Sequence, residues 1–195
     1  MTDSPNIVVI AGPNGAGKST TAPALLAGVL GVIEFVNADV IAQGLSAFNP
    51  EGAAMEAGRV MLRRLKELAA SRASFAFETT LASKSFAPWI QRLCKGGYEF
   101  HLIFLYLPSP ELAIERVANR VRAGGHHVSP EVVRRRYFGG IRNFFRLYRP
   151  LASQWRVYDN DDRTGPRLIA AGSAATEELV ADAAMWHRIK EVAHA

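Results

Sequence analysis

Apolar runs of strand length recur at Ile7–Ala11, Val32–Val36, Ser74–Glu78, Phe100–Leu107, Trp155–Tyr158 and Leu168–Ala171, and most intervals between them carry a helical period. Strands alternating with helices predict an α/β fold on a parallel sheet. Three helix starts are marked alike. Asn49-Pro50-Glu51, Ser109-Pro110-Glu111 and Ser129-Pro130-Glu131 each offer a capping side chain, a proline at the first helical position and a carboxylate suited to the helix dipole. Beyond Asn49, Met61, Leu62, Leu65, Leu68 and Ala69 form one apolar stripe. Beyond Ser129, Val133, Tyr137, Ile141, Phe144, Phe145 and Tyr148 form another, and both predict core-facing surfaces. No repeat or low-complexity tract interrupts the pattern, and Asp159–Pro166 reads as a loop, so one domain over 1–195 is expected.

Between the first strand and the first helix the chain reads GPNGAGKST. Gly12, Gly17, Lys18 and Ser19 occupy the fixed positions of G-x-x-x-x-G-K-[ST], in the strand-then-helix context that this P-loop requires. The chemistry is anion binding. Glycines let backbone N–H groups turn inward around phosphates, and the helix N-terminus adds its positive end. Lys18 reaches the β- and γ-phosphates of ATP, and Ser19 offers its hydroxyl to Mg²⁺. Gly12, Pro13, Asn14, Gly15, Ala16, Gly17, Lys18, Ser19 and Thr20 are therefore the expected nucleotide-binding segment.

Composition narrows the class. A chain of 195 residues can bury roughly 70% of its unfolded surface without covalent help. Cys94 is the only cysteine, so no intrachain disulfide can form; a reducing, cytoplasmic setting is expected. MTDSPN lacks the basic start of an export signal, and the apolar run APALLAGVLGVI is too short to cross a bilayer, so no membrane role is expected. The net charge of +5 is concentrated. Arg116, Arg120, Arg122, Arg134, Arg135, Arg136, Arg142, Arg146 and Arg149 share their stretch with one acid, Glu131. In a P-loop protein this reads as an arginine-rich helical lid, spanning about 116–136, that closes over polyphosphate. A nucleic-acid partner is disfavoured because aromatic stacking platforms are not interleaved there.

Three kinds of P-loop protein remain to be separated. A transporter-type ATPase should carry an LSGGQ-like signature and an apolar strand ending in Asp-Glu; a switch GTPase should carry N-K-x-D; none occurs. A small-molecule kinase needs acidic and hydroxyl residues at strand ends to grip an acceptor, and a basic lid. Asp39, ending VIEFVNAD, is the leading base, with capping of the helix VIAQGL as its other reading. Glu78, with Thr79 and Thr80, ends the third strand and suits a hydroxylated substrate. Arg116 and Arg120, four apart on one helix, project together beside the hinge-like Gly124-Gly125 and form a candidate clamp on the transferring phosphoryl group. His126 and His127 read as an exposed loop pair.

The ordered set GPNGAGKST, FVNAD, FAFETT and RVANRVRAGGHHVSPEVVRRRY resembles the zeta toxin family of bacterial kinases, above all its short stand-alone members, over about residues 6–160. The resemblance implies a P-loop kinase fold, ATP and Mg²⁺ as cofactors, and phosphorylation of a sugar hydroxyl on a UDP-linked amino sugar such as UDP-N-acetylglucosamine. It implies Lys18 and Ser19 for phosphate and magnesium, Asp39 as base, Glu78 with Thr80 for the acceptor, and Asn160, within YDN, near the adenine. Of the family's two lid arginines the first matches Arg116. The second falls near His127, so a histidine or a shifted arginine, Arg120 or Arg122, takes its place. A separate antitoxin protein is the implied partner.

Overall fold

The computed structural model describes residues 4–27, 32, 34–125, 127–161 and 165–194. In chain order the elements are β1 (Asn6–Ala11), α1 (Lys18–Ala27), β2 (Glu34–Val36), α2 (Ala38–Leu45), α3 (Ala54–Ala70), β3 (Phe75–Thr79), α4 (Phe86–Lys95) and β4 (Glu99–Tyr106). They continue with α5 (Pro110–Arg122), α6 (Pro130–Asn143), β5 (Gln154–Asp159), β6 (Arg167–Ser173), β7 (Thr176–Val180) and α7 (Ala183–His194). One seven-stranded sheet runs β2-β3-β1-β4-β5-β6-β7. The sheet is parallel from β2 to β5, and β6 and β7 are antiparallel additions, so the expected parallel sheet holds for five strands and becomes mixed at one edge. β7 was not among the expected strands.

The central strands are apolar without alternation because both their faces are covered. Ile7, Val9 and Ile10 of β1 and Phe100, Phe104 and Leu105 of β4 are all inaccessible or nearly so. On the antiparallel side, Trp155 of β5 is buried and stacks on Trp186 of α7, with ring centroids 5.6 Å apart and planes 16° from parallel. The stripe beyond Ser129 packs inward as expected, although regular α-helix ends at Asn143 and continues as a π turn (Phe144–Tyr148) and a 3-10 turn (Arg149–Leu151). No helix among the described residues is long and apolar enough to cross a membrane.

Two helix starts differ from expectation. Asn49 caps a turn, its Oδ1 accepting from the Gly52 N–H at 3.1 Å, and α3 begins later, at Ala54. Leu62 of its stripe is left 46% exposed. Ser109 caps α5 through the Leu112 N–H, whereas Ser129 precedes α6 without a side-chain cap. Gly124-Gly125 ends α5 as a Schellman motif: Gly124, at φ +85°, donates to the Val121 carbonyl and Gly125 to that of Arg120, both at 2.9 Å.

Candidate active site

The carboxyl ends of β1, β3 and β4 converge where the chain leaves β1 toward α1, the position at which open α/β sheets bind ligands. The P-loop turns there through Gly12, Gly15 and Gly17, all at positive φ. At Gly12 the fit is tightest, since a Cβ would lie 2.3 Å from the Leu105 carbonyl oxygen of β4. Lys18, the first residue of α1, is 6% exposed, and its Nζ donates to the Pro13 carbonyl at 2.9 Å and lies 3.7 Å from Glu78 Oε1. Burial lowers the Lys18 pKa, an effect partly offset by the carboxylates of Glu78 and Asp39 and reinforced by Arg120.

Glu78 lies at the phosphate side of the site. Its Oε2 accepts from Ser19 Oγ at 2.7 Å and from Asn37 Nδ2 at 2.8 Å. Asn37, buried between β2 and α2, is a member of the site that the sequence reading did not name. Its Nδ2 also reaches Ser19 Oγ at 3.1 Å, and its Oδ1 caps α2 by accepting from the N–H groups of Asp39 and Val40. The signal was present: asparagine directly after a strand and before a helical period is a favoured N-cap. Asp39 accordingly stands in the first turn of α2, not at the end of a strand, and Asn37 makes the capping bonds. The Asp39 carboxylate is half exposed and 3.8 Å from Arg120 Nη1.

Two cavities meet here. One of about 290 Å³ is lined by Asn14, Gly15, Gly17, Lys18, Ser19 and Thr20 of the P-loop, with Arg116 and Arg120. The other, of about 330 Å³, is lined by Thr79, Thr80, Ser83, Val128 and Arg136, among others. Asn14, Lys18, Asp39 and Glu78 border both. Thr80 thus lies on the second cavity, as expected of an acceptor residue, while Glu78 is shared.

The expected lid residues part company. Arg116 donates to the carbonyls of Asn160 and Asp161 at 2.8 and 2.6 Å, and Asn160 Nδ2 in turn holds the Ala16 carbonyl at 2.7 Å, so this pair buttresses the P-loop. Arg120 reaches the phosphate cavity. Arg122 is exposed, bonds Asn119 and lines neither cavity. His127 contributes its backbone N–H, which donates to Glu51 at 2.9 Å; His126 lies outside the described residues. Arg136 of α6, not singled out from its arginine-rich stretch, lines the second cavity.

Among the described residues no three His, Cys, Asp or Glu side chains cluster into a self-contained metal site. Two oxygen donors, Ser19 Oγ and Glu78 Oε2, nevertheless adjoin at the phosphate cavity, a donor set that fits a hard cation shared with phosphate oxygens.

The parallel sheet, the P-loop at the end of β1 and the adjoining cavity define a P-loop protein of the kinase type. The chain belongs to the zeta toxin family, whose model matches residues 1–165. It is 29% identical over 126 residues to an uncharacterized protein of Haemophilus influenzae, covering 65% of this chain and 88% of that one. Among solved structures it is similar to a chain of the AvrRxo1-ORF1:AvrRxo1-ORF2 complex with sulphate ions, with TM-score 0.73 and 18% identity over 95% of this chain and 63% of that one. It is also similar to a chain from the PezAT chromosomal toxin-antitoxin system of Streptococcus pneumoniae, with TM-score 0.62 and 17% identity over 99% and 87%. A third likeness is to a gluconokinase from Sinorhizobium meliloti, with TM-score 0.51 and 15% identity over 98% and 91%. These structural likenesses are of fold, and the chain spans less than two thirds of the AvrRxo1 chain's length.

Proposed function

We propose that this protein is an ATP-dependent kinase that phosphorylates a hydroxyl of a small acceptor, with a UDP-linked amino sugar such as UDP-N-acetylglucosamine as the first choice. The observation that carries the reading is the position of Asp39, on the border of both cavities and 3.8 Å from Arg120. A carboxylate there can meet an acceptor hydroxyl on one side while a cation faces the transferring phosphoryl group on the other. The family membership supports the choice of acceptor, and the toxin-antitoxin setting of PezAT supports a separate antitoxin protein as partner.

The P-loop backbone would hold the ATP phosphates, and Lys18, whose ammonium donates to the Pro13 carbonyl, would supply positive charge to them. Ser19, with Glu78 beside it, would hold Mg²⁺, which supplies charge neutralisation on the phosphate oxygens. We assign Glu78 this role in preference to the expected grip on the acceptor, since its carboxylate bonds the P-loop serine directly, although it also borders the acceptor cavity. The acceptor oxygen forms its bond to the γ-phosphorus as the bond to ADP breaks. Asp39 receives the hydroxyl proton, ADP departs with the electron pair, and Arg120 compensates charge on the equatorial oxygens. Arg116 and Asn160 keep the loop in shape.

The test is transfer of label from γ-labelled ATP into a panel of UDP-sugars, nucleosides and aminoglycosides, with mass spectrometry of the product. Labelled UDP-amino sugar is expected. Free phosphate as the sole product across the panel sinks the proposal.

A further inference from the structure

Resting on the kinase reading, we propose that Arg136 is a specificity-determining residue that grips an anionic group on the acceptor, so that the preferred substrates are alcohols carrying a phosphate close to the reacting hydroxyl. The two cavities divide the arginines between them. Arg116 and Arg120 line the phosphate cavity, and Arg136 is the arginine that lines the acceptor cavity among the described residues. Its guanidinium is partly buried, and burial pulls its pKa below the usual arginine value. Its one hydrogen bond among the described residues is long, 3.4 Å from Nη1 to Asn14 Oδ1, and no carboxylate among them lies within 4.0 Å of it, although Asp39 attracts it through space. A partly desolvated guanidinium with most of its five donors free of protein partners is matched to a phosphate or carboxylate, which accepts two parallel bonds.

The helix segment that carries the arginine is held in place. Gly140, one turn further along the same face of α6, lies so close to the Thr80 carbonyl oxygen that a Cβ would sit 2.4 Å from it. Asn143 Nδ2 donates to the carbonyls of Leu81 and Ala82 at 2.7 and 3.2 Å, and Tyr148 Oη donates to that of Ser83 at 2.6 Å. The part of the expected lid that carries Arg136 is therefore fastened to the loop that floors the acceptor cavity. No aromatic side chain lines that cavity among the described residues; hydroxyls and amides such as Thr80, Ser83 and Asn14 accompany Arg136 there, so hydrogen bonds and charge are its handles on a ligand.

The experiment measures binding of N-acetylglucosamine, N-acetylglucosamine 1-phosphate and UDP-N-acetylglucosamine by calorimetry with ADP and Mg²⁺ present, so that no transfer is needed. Wild-type protein and the variants Arg136→Met, Arg136→Lys and Arg135→Met are compared, the last being an exposed neighbour that lines neither cavity. Phosphorylated ligands should bind the wild type about ten- to a hundred-fold tighter than the neutral sugar, the usual worth of a charge-assisted hydrogen-bond pair. Arg136→Met should erase that preference, Arg136→Lys should keep part of it, and Arg135→Met should keep all of it. Equal gains for both phosphorylated ligands identify the sugar-linked phosphate as the recognised group; a gain confined to the UDP-sugar identifies the nucleoside diphosphate.

Equal binding of charged and neutral ligands by the wild type overturns the proposal, as does no binding of any of the three. A loss in Arg136→Met that falls on ADP instead of the acceptor also overturns it. Should the charge preference be found while labelled phosphate reaches no acceptor, the kinase reading fails and the anion site stands.

Discussion

Replacing Asp39 by asparagine separates the base from every structural role around it. The variant keeps the side chain's shape and removes only its charge and basicity. Because Asn37 makes the capping bonds of α2, the helix start keeps its hydrogen bonds and loses only the attraction between a first-turn carboxylate and the helix dipole, about 0.3–1 kcal/mol. The lost attraction to Arg120 acts over 3.8 Å between groups 36% and 47% exposed, where solvent screening holds such pairs to about 0.2–1 kcal/mol. Stability in urea should fall by no more than about 2 kcal/mol, the two contributions together. ATP should bind as tightly or up to a few-fold more tightly, since Arg120 loses a competing carboxylate and the γ-phosphate loses a repelling one. The chemical step should slow by about 10²–10⁴-fold, equivalent to about 3–5 kcal/mol of barrier. The assay is single-turnover transfer of labelled phosphate into a saturating acceptor, beside nucleotide titration and denaturant melts of the same preparation. Transfer within three-fold of wild type refutes the base assignment. Loss of transfer in step with ATP affinity or stability refutes the separation argued from Asn37.

Four further outcomes are expected. Arg120→Ala should lower kcat by orders of magnitude with a smaller effect on ATP binding, and a neutral result beside an impaired Arg116→Ala would move the transition-state cation to Arg116. Glu78→Gln should weaken Mn²⁺ retention in the nucleotide complex, read by electron paramagnetic resonance, while acceptor KM stays near wild type; a raised KM with intact Mn²⁺ binding would return Glu78 to the acceptor. Gly12→Ala should destabilise the fold by about 2–5 kcal/mol in urea, because the new methyl meets the backbone of a central strand at a φ of +141°, and a loss under 0.5 kcal/mol would contradict that packing. The pKa of Lys18 is lowered in the folded state, so the folded protein binds fewer protons than the unfolded chain between that value and 10.5; stability without nucleotide should gain with rising pH across this window, while ATP affinity falls as the ammonium is lost. Parallel slopes in melts and nucleotide titrations would exclude Lys18 as the cause.

The P-loop was legible because its glycines answer a backbone demand that few residues can meet, as Gly12 against Leu105 makes plain. The reversal of β6 was also legible, though the parallel pattern passed over it. Residues 160–166 make too short a connection for a crossover, which takes a dozen residues or more. β7 was not legible: TEELV is exposed throughout and owes its strand form to the ladder with β6. In the site, periodicity located the arginines on helices but could not rank them. Arg136 is distinguished by the approach of Gly140 to Thr80, a contact between segments sixty residues apart, and Arg122 falls away because its side of α5 faces solvent.

The stacked pair Trp155–Trp186 bears on where this protein can be cut. The family match stops at residue 165, and every proposed site residue precedes that point. A fragment ending there would look complete as a catalytic unit. It would nevertheless strip β6, β7 and α7 from β5, baring one whole flank of hydrogen-bonding groups and a tryptophan that is 1% exposed in the intact chain. Open flanks of that kind recruit other chains. The last thirty residues thus act as a fitted cover for the sheet, and a minimal version of the protein should be designed around the cover and not around the motif.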